Sequence, residues 1–226
     1  MTDSPTHLKW PTFSRLSEIA RQLDSSLSLT GILGQGVPEI TETLLRWYPS
    51  IAVGSESRHV KSTFYFEKGM LLEGKEFRQF LPLLVRTENA EIIAFISFQV
   101  DTDARSLTSP LGIVAPTFRG KGIAYFGPKL LEAIAREMSC GFAYYYVTTE
   151  TIAQQKVAEA LNFSLLGVMP AWDRDLIEGI PQRVTELIYG KIMQTDEPIR
   201  MLSAANLTER SIKIIQELLP GALSGE

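Results

Sequence analysis

The chain has 226 residues, 45% hydrophobic and 21% charged, which suits one generous globular domain, or a domain with an extension, and excludes a disordered or fibrous class. Its net charge of −4 and pI near 5.4 exclude a general field attracting nucleic acid or an anionic membrane, so an anion site has to be made locally. Cys140 is the single cysteine and the two histidines, His7 and His59, lie far apart, which excludes an internal disulfide and leaves no ligand cluster for a metal.

In chain order, Leu16, Ile19, Ala20 and Leu23 fall at i, i+3, i+4 and i+7 and predict a helix. After a glycine-rich break at Gly31 to Gly36, Val37 to Tyr48 carries Ile40, Leu44, Leu45 and Trp47 and predicts a second. Residues 1–59 thus read as a helical extension. Pro49 and a polar stretch from Gly54 to His59 follow, and Thr63 to Phe66 reads as a short aromatic strand. Phe80 to Thr87, Glu91 to Val100 and Ser106 to Val114 are strand candidates whose short polar connections have hairpin length, so they predict an antiparallel meander.

The meander runs into Leu111 to Ala124, a strand that stops at Pro116 and turns into a glycine-punctuated helix start. Leu130, Leu131, Ile134 and Ala135 continue that helix with its apolar side toward a sheet. Downstream, Phe142 to Thr148 reads as a strand, Thr151 to Leu161 as a helix and Phe163 to Met169 as a strand, the order of a crossover unit with parallel pairing. Gln182 to Met193 alternates as a last strand. Beyond a turn at Asp196-Glu-Pro198, the residues Leu202, Leu207, Ile212, Ile215 and Leu218 suggest a C-terminal helix. The N-terminus lacks a basic segment followed by an apolar run, and no apolar stretch approaches the ~20 residues that span a bilayer, so the expectation is a cytoplasmic protein.

The glycine turn is chemically the most informative segment. Without Cβ atoms at Gly120 and Gly122, successive N–H groups can converge on an anion, the following helix adds its positive end, and Arg119 and Lys121 bracket the turn. A P-loop is excluded because Gly122 is followed by Ile-Ala, with no hydroxyl for magnesium. A dinucleotide fingerprint fails at Tyr125, and antiparallel strands upstream are the wrong context for it.

What the turn does match is Arg-x-x-Gly-x-Ala, read as Arg119, Gly122 and Ala124, after Val114-Ala-Pro116 and before an amphipathic helix. This segment resembles the acyl-CoA-binding signature of the GNAT superfamily of N-acyltransferases: Gln or Arg, two residues, Gly, one residue, Gly or Ala, between the fourth strand and the next helix. The resemblance covers residues 60–193, with Asn162-Phe163 where the family has Gly-Phe. It implies a mixed α/β, GNAT-like fold, a twisted mixed sheet with helices on both faces. Residues 60–193 would be the acyl-CoA-binding domain, 1–59 the helical extension and 194–226 a helical tail.

The resemblance also implies a function: transfer of an acyl group, acetyl first, from acetyl-CoA or another acyl-CoA to an amine by direct attack in a ternary complex, with no metal. The cosubstrate would be held by Ile113, Val114, Arg119, Gly120, Lys121, Gly122, Ile123, Ala124 and Thr151. Pantetheine amides would pair with the strand edge at Ile113 and Val114, where the fourth and fifth strands of the family splay apart, and a backbone N–H near Val114 would polarise the thioester carbonyl.

Family members often carry a carboxylate base on the fifth strand, an Asn on the next helix and a Tyr acid seven residues later. Aligned on Phe163, these slots hold Tyr146, Thr151 and Ala158. Tyr146 is therefore the catalytic candidate. A phenol with pKa near ~10 is a weak base at neutral pH, though it can orient a water or protonate the thiolate. Alternation along Tyr144, Tyr145 and Tyr146 leaves open a packing role on one sheet face. The absent acid at Ala158 leaves open a second function, a catalytically silent acyl-CoA-binding or regulatory module.

In this family the connection between the sixth and seventh strands commonly walls the acceptor site. Trp172, Asp173 and Asp175 would offer a cationic amine an aromatic face and negative charge there, or form a loop with a partly packed Trp. Glu91 reads as solvated, Asp101 and Asp103 as turn formers, Cys140 as a small buried residue and His59 as a surface-loop histidine. The partners expected are a small-molecule or peptide amine, with neither nucleic acid nor membrane, and the apolar faces of the N-terminal helices and tail leave room for a homodimer.

Overall fold

The computed structural model describes residues 8–32, 34–68, 79–193, 198–200 and 202–219. His7 and the Asp196-Glu197 part of the expected turn lie outside them. Among the described residues seven strands form one sheet: β1 (Leu27–Gly31), β2 (Phe80–Thr87), β3 (Ile92–Asp101), β4 (Ser106–Val114), β5 (Phe142–Thr148), β6 (Ser164–Ile177) and β7 (Ile180–Ile192). Their spatial order is β1-β2-β3-β4-β5-β7-β6, and every neighbouring pair is antiparallel except β4 with β5.

Each sheet face is covered by helices whose apolar stripe the sequence supplies. On one face lie α1 (Phe13–Leu23), α4 (Phe126–Glu137) and α5 (Ile152–Ala160); Leu16, Ile19, Leu130, Leu131, Ile134 and Ala158 join Leu83, Val85, Phe98, Leu107, Tyr145, Val147 and Tyr189 in the larger core. Thr12 caps α1 by accepting from the Arg15 N–H at 3.3 Å, and Arg15 in turn grips Glu137 of α4 through Nε and Nη2, both at 2.9 Å. On the other face lie α2 (Val37–Trp47) and α3 (Ser62–Glu67), which bury Ile40, Leu44, Phe64 and Tyr65 against Phe80, Leu84, Phe95 and Ile113. A separate helix, α6 (Glu209–Leu218), starts at the N-cap Thr208.

Four sequence expectations change. Residues 1–59 are not helical alone: Leu27–Gly31 joins the sheet along β2, pairing Leu27 with Thr87 through Gly31 with Leu83. Thr63 to Phe66 is a helix, not a strand. Aromatic residues favour strands, but the free edge of β2 is already taken by β1, and helical geometry lets the adjacent Phe64 and Tyr65 both be buried while Phe66 stays 55% exposed.

The strands either side of α5 are not paired with each other. β7 enters between β5 and β6, returning from β6 through a two-residue turn at Glu178 and Gly179, with φ of 52° and 80°, as the tight hairpin turns require. Finally, Trp172 to Asp175 belong to β6 itself and not to a connection after it: Trp172 lies in an irregularity between Met169 and Asp173, and regular pairing resumes at Asp173 with Val184. The Asn at the Gly-Phe position is explained by its backbone: Asn162 has φ 58°, the left-handed conformation that Asn tolerates best after Gly, and Phe163 N–H then returns to Ala158 O at 3.0 Å to end α5.

Candidate active site

The parallel seam between β4 and β5 is short. It runs only from Ser106 opposite Phe142 to Ser109 opposite Tyr145, and the next residue of β4 is Pro110, which has no N–H to continue a ladder. The register against β3 also slips here, since the single residue between Ser97 and Gln99 faces the two between Thr108 and Leu111, so β4 bulges away. Beyond Pro110 the two strands diverge. Ala115 donates its N–H to Ile93 O at 2.8 Å, and strand alternation then turns the N–H groups of Val114 and Gly112 away from β3 into the opened gap.

The glycine turn closes one end of this gap. Gly120 and Gly122 have φ of 76° and 81°, and an added Cβ would meet nothing within 4 Å at either position. The turn is held by Lys121 N–H to Phe118 O at 3.4 Å and Tyr125 N–H to Gly122 O at 3.1 Å, bonds that use none of the N–H groups of Gly120, Gly122, Ile123 or Ala124. An open concavity bordered by backbone donors at a helix start suits a phosphate group.

Arg119 takes a different position from the one its sequence suggests. Its Nε donates to Val114 O at 3.2 Å and its Nη2 to Trp47 O at 2.8 Å, so its guanidinium braces the end of β4 to the last turn of α2. Lys121 Nζ lies 4.7 Å from the centre of the Phe118 ring.

A cleft of about 770 Å³ joins these parts: it is lined by Gly112, Ile113, Val114, the turn residues Arg119, Gly120, Gly122, Ile123 and Ala124, Tyr146, and Thr151 at the N-terminus of α5. A smaller pocket of about 300 Å³ lies beside it, lined by Arg58, Gln99, Asp101, Thr108, Tyr144 and Trp172 among others. Ser55, Glu56, Pro110 and Tyr146 line both, so the two meet where β4 and β5 part.

Alternation on β5 separates the three tyrosines. Tyr145 is buried in the larger core, whereas Tyr144 and Tyr146 are half-buried on the opposite face, with ring centroids 6.0 Å apart. Burial first, then Tyr144, Glu186 and Glu56, raise the Tyr146 pKa above the ordinary phenol value. The phenol therefore stays neutral at physiological pH, in the form that can donate a hydrogen bond.

The walls hold carboxylates that the sequence reading found only in part. Asp173 accepts from Ser55 N–H at 2.7 Å and Ser55 Oγ at 3.0 Å; Asp175, buried, accepts from Tyr48 Oη and Leu176 N–H, at 2.8 and 2.7 Å. Glu56 is held by Arg58, at 2.9 Å from Nη2. Glu186 on β7 was not singled out by sequence, since Arg183, Thr185 and Lys191 on the same strand make one more polar residue unremarkable. Burial, then Asp173, Glu56 and Asp175, push its pKa up to about 7.

His59 is fully buried, contrary to the surface-loop expectation: its Nδ1 faces Glu56 Oε2 at 3.1 Å and its ring packs 4.8 Å from Phe64. Cys140 is buried with its thiol pushed up to about 11, and Asp101 accepts the N–H groups of Asp103 and Ala104 in its turn, both as expected. Glu91 is exposed, also as expected. No helix among the described residues is long and apolar enough to cross a membrane.

The mixed sheet, parallel only at β4–β5 and covered by helices on both faces, is a GNAT N-acetyltransferase fold, and solved structures share that fold. The chain is similar to spermidine N-acetyltransferase SpeG from Vibrio cholerae, with a TM-score of 0.58 and 16% identity over 75% of this chain and 95% of that one. It is similar also to the ribosomal L7/L12 alpha-N-protein acetyltransferase RimL in complex with coenzyme A, with a TM-score of 0.57 and 16% identity over 76% and 97% of the two chains. No protein-family model and no curated sequence matches the chain, so the likeness is one of fold: this protein has the GNAT fold.

Proposed function

We propose that the protein is an N-acyltransferase that moves an acyl group, acetyl first, from coenzyme A to an amine by direct attack in a ternary complex. The observation that carries this reading is the meeting of two cavities at the β4–β5 opening, with Pro110 and Tyr146 on the shared wall. One cavity suits an acyl-CoA and the other an acceptor, and the junction is where a thioester carbonyl and an amine would come into contact.

The cosubstrate's pyrophosphate would lie against the N–H groups of residues 120–124, and its pantetheine would pair along Gly112 to Val114 as an added strand. Thr151 would contact it from the opposite side. The coenzyme supplies an activated acyl group; the chain supplies the Val114 N–H as a donor to the carbonyl oxygen and the neutral Tyr146 phenol as a hydrogen-bond donor near the departing sulfur. Spermidine and a protein N-terminus, the acceptors named for the two similar structures, are the first amines to test.

Titration calorimetry with acetyl-CoA, followed by thiol release against spermidine, an N-terminal peptide and a lysine peptide, tests the reading. Binding with turnover supports it. Binding without turnover on any of the three favours the silent acyl-CoA module, and absence of binding at millimolar ligand removes both. Tyr146→Phe should lower kcat by roughly tenfold or more with coenzyme affinity unchanged.

A further inference from the structure

We infer that Glu186 is the proton acceptor of this site, the group that takes a proton from the incoming ammonium before attack. The inference rests on the acyl-transfer reading and adds to it a catalytic residue on β7.

Position is the first reason. Glu186 stands opposite Thr148 of β5, two pairs along from Tyr146 opposite Ile188, so strand alternation puts Glu186 and Tyr146 on the same sheet face as diagonal neighbours, within roughly 8 Å. Both line the larger cleft, and Tyr146 also lines the smaller pocket. A carboxylate there faces the space between acceptor and thioester.

Bonding is the second. Four carboxylates crowd this wall, and three have structural partners: Glu56 with Arg58, Asp173 with Ser55, Asp175 with Tyr48. The Glu186 carboxylate has no hydrogen bond or ion pair with another described residue, although the side chain is half-buried. A carboxylate partly withdrawn from water and left without a protein partner is disfavoured in its charged form, and active sites are where such cost is retained.

The smaller pocket gives an independent sign of a polar ligand. Thr108, only 8% exposed, lines it, and its hydroxyl is buried with no hydrogen-bond partner. The titratable groups that face Glu186 are Asp173 and Asp175 from β6, Glu56 from the 55–60 segment, Tyr48 at the end of α2 and Tyr146 from β5, with no cation paired to it among the described residues. That surrounding keeps the carboxyl near the midpoint of its titration at neutral pH, where a base both accepts and releases protons readily.

The step balances. The acceptor R–NH3+ gives one proton to the Glu186 carboxylate, and the freed nitrogen lone pair forms the C–N bond to the thioester carbon. The C–S bond then breaks, the electron pair leaves with sulfur, and the second nitrogen proton passes to the thiolate. Glu186 returns its proton to solvent.

The test needs two readouts. In the free protein, a carbon-detected NMR titration of the Glu186 carboxyl should show an inflection near pH 7, moving to lower pH in Asp173→Asn. With the best amine of the panel, kcat/KM should rise through the same pH; Glu186→Gln should remove that limb and lower kcat roughly 100-fold, with coenzyme affinity within about twofold. An inflection near the ordinary carboxyl value, or a Glu186→Gln enzyme that keeps both its rate and its acid limb, overturns the inference while leaving acyl transfer standing. Wild type without turnover overturns both.

Discussion

Arg119 donates from Nη2 to the carbonyl oxygen of Trp47 at 2.8 Å, linking the glycine turn to the end of α2 across 72 residues of sequence. With its bond to Val114 O, the guanidinium uses two donors of its planar fork at once, which an ammonium cannot reproduce. Arg119→Ala should therefore weaken coenzyme A binding about tenfold or more, and Arg119→Lys should not restore it. Full rescue by lysine in titration calorimetry would mean that Arg119 acts as a point charge on phosphate instead.

Two glycines beside the cleft should behave differently. Gly122 has φ 81°, so Gly122→Ala carries a conformational cost of roughly 1–2 kcal/mol in the free protein and should lower both Tm and coenzyme affinity. Gly112 has no such backbone demand and open space where a Cβ would project. Gly112→Ala should leave Tm unchanged while reducing coenzyme affinity, because the methyl enters the cleft. Thermal melts with and without coenzyme A separate the two.

Glu186 also makes stability depend on pH. Its folded-state pKa of about 7 lies above the free-carboxyl value of 4.5, so the protonated form is favoured in the fold. The associated stability is complete below about pH 4.5 and is lost as pH rises through 7. Glu186→Gln mimics the neutral form: it should melt with wild type at pH 4.5 and above it at pH 8, by on the order of 1–2 kcal/mol once solvent screening is allowed for. Equal melting at both pH values would show that the carboxyl is not perturbed.

Gly190 on β7 is a packing requirement. A Cβ there would lie 2.5 Å from Leu166 Cδ1 and 2.6 Å from Phe142 Cζ. Gly190→Ala should cost about 1–3 kcal/mol in denaturant unfolding, and an unchanged midpoint would contradict this packing.

Local sequence carried the meander, the glycine turn and the helices around it, because each is set by short-range periodicity or by glycine's backbone freedom. Phe80 to Val114 needed only alternation and hairpin-length connections. What escaped depended on contacts between distant segments. β1 is five residues long and ends in the glycine-rich break, so its pattern is too short to stand out from a turn; it is a strand because β2 offers an edge. The helical Thr63 to Phe66 follows from that same edge being taken.

Tyr146 could be found by alignment on Phe163, but Glu186 could not. It reaches Tyr146 only because β7 inserts beside β5, a topological choice that no local pattern encodes. Arg119 was visible as a residue, while its bond to Trp47 depends on how α2 lies over the sheet.

Among the described residues, the β4–β5 seam of four residue pairs is the only strand pairing between the meander half of the sheet and the β5-β7-β6 half. A donor lying along Gly112 to Val114 would extend that joint as a non-protein strut. Loading the acyl group would then stiffen the whole sheet, and amide exchange on both sides of the seam, far from any ligand contact, should slow together when coenzyme A binds.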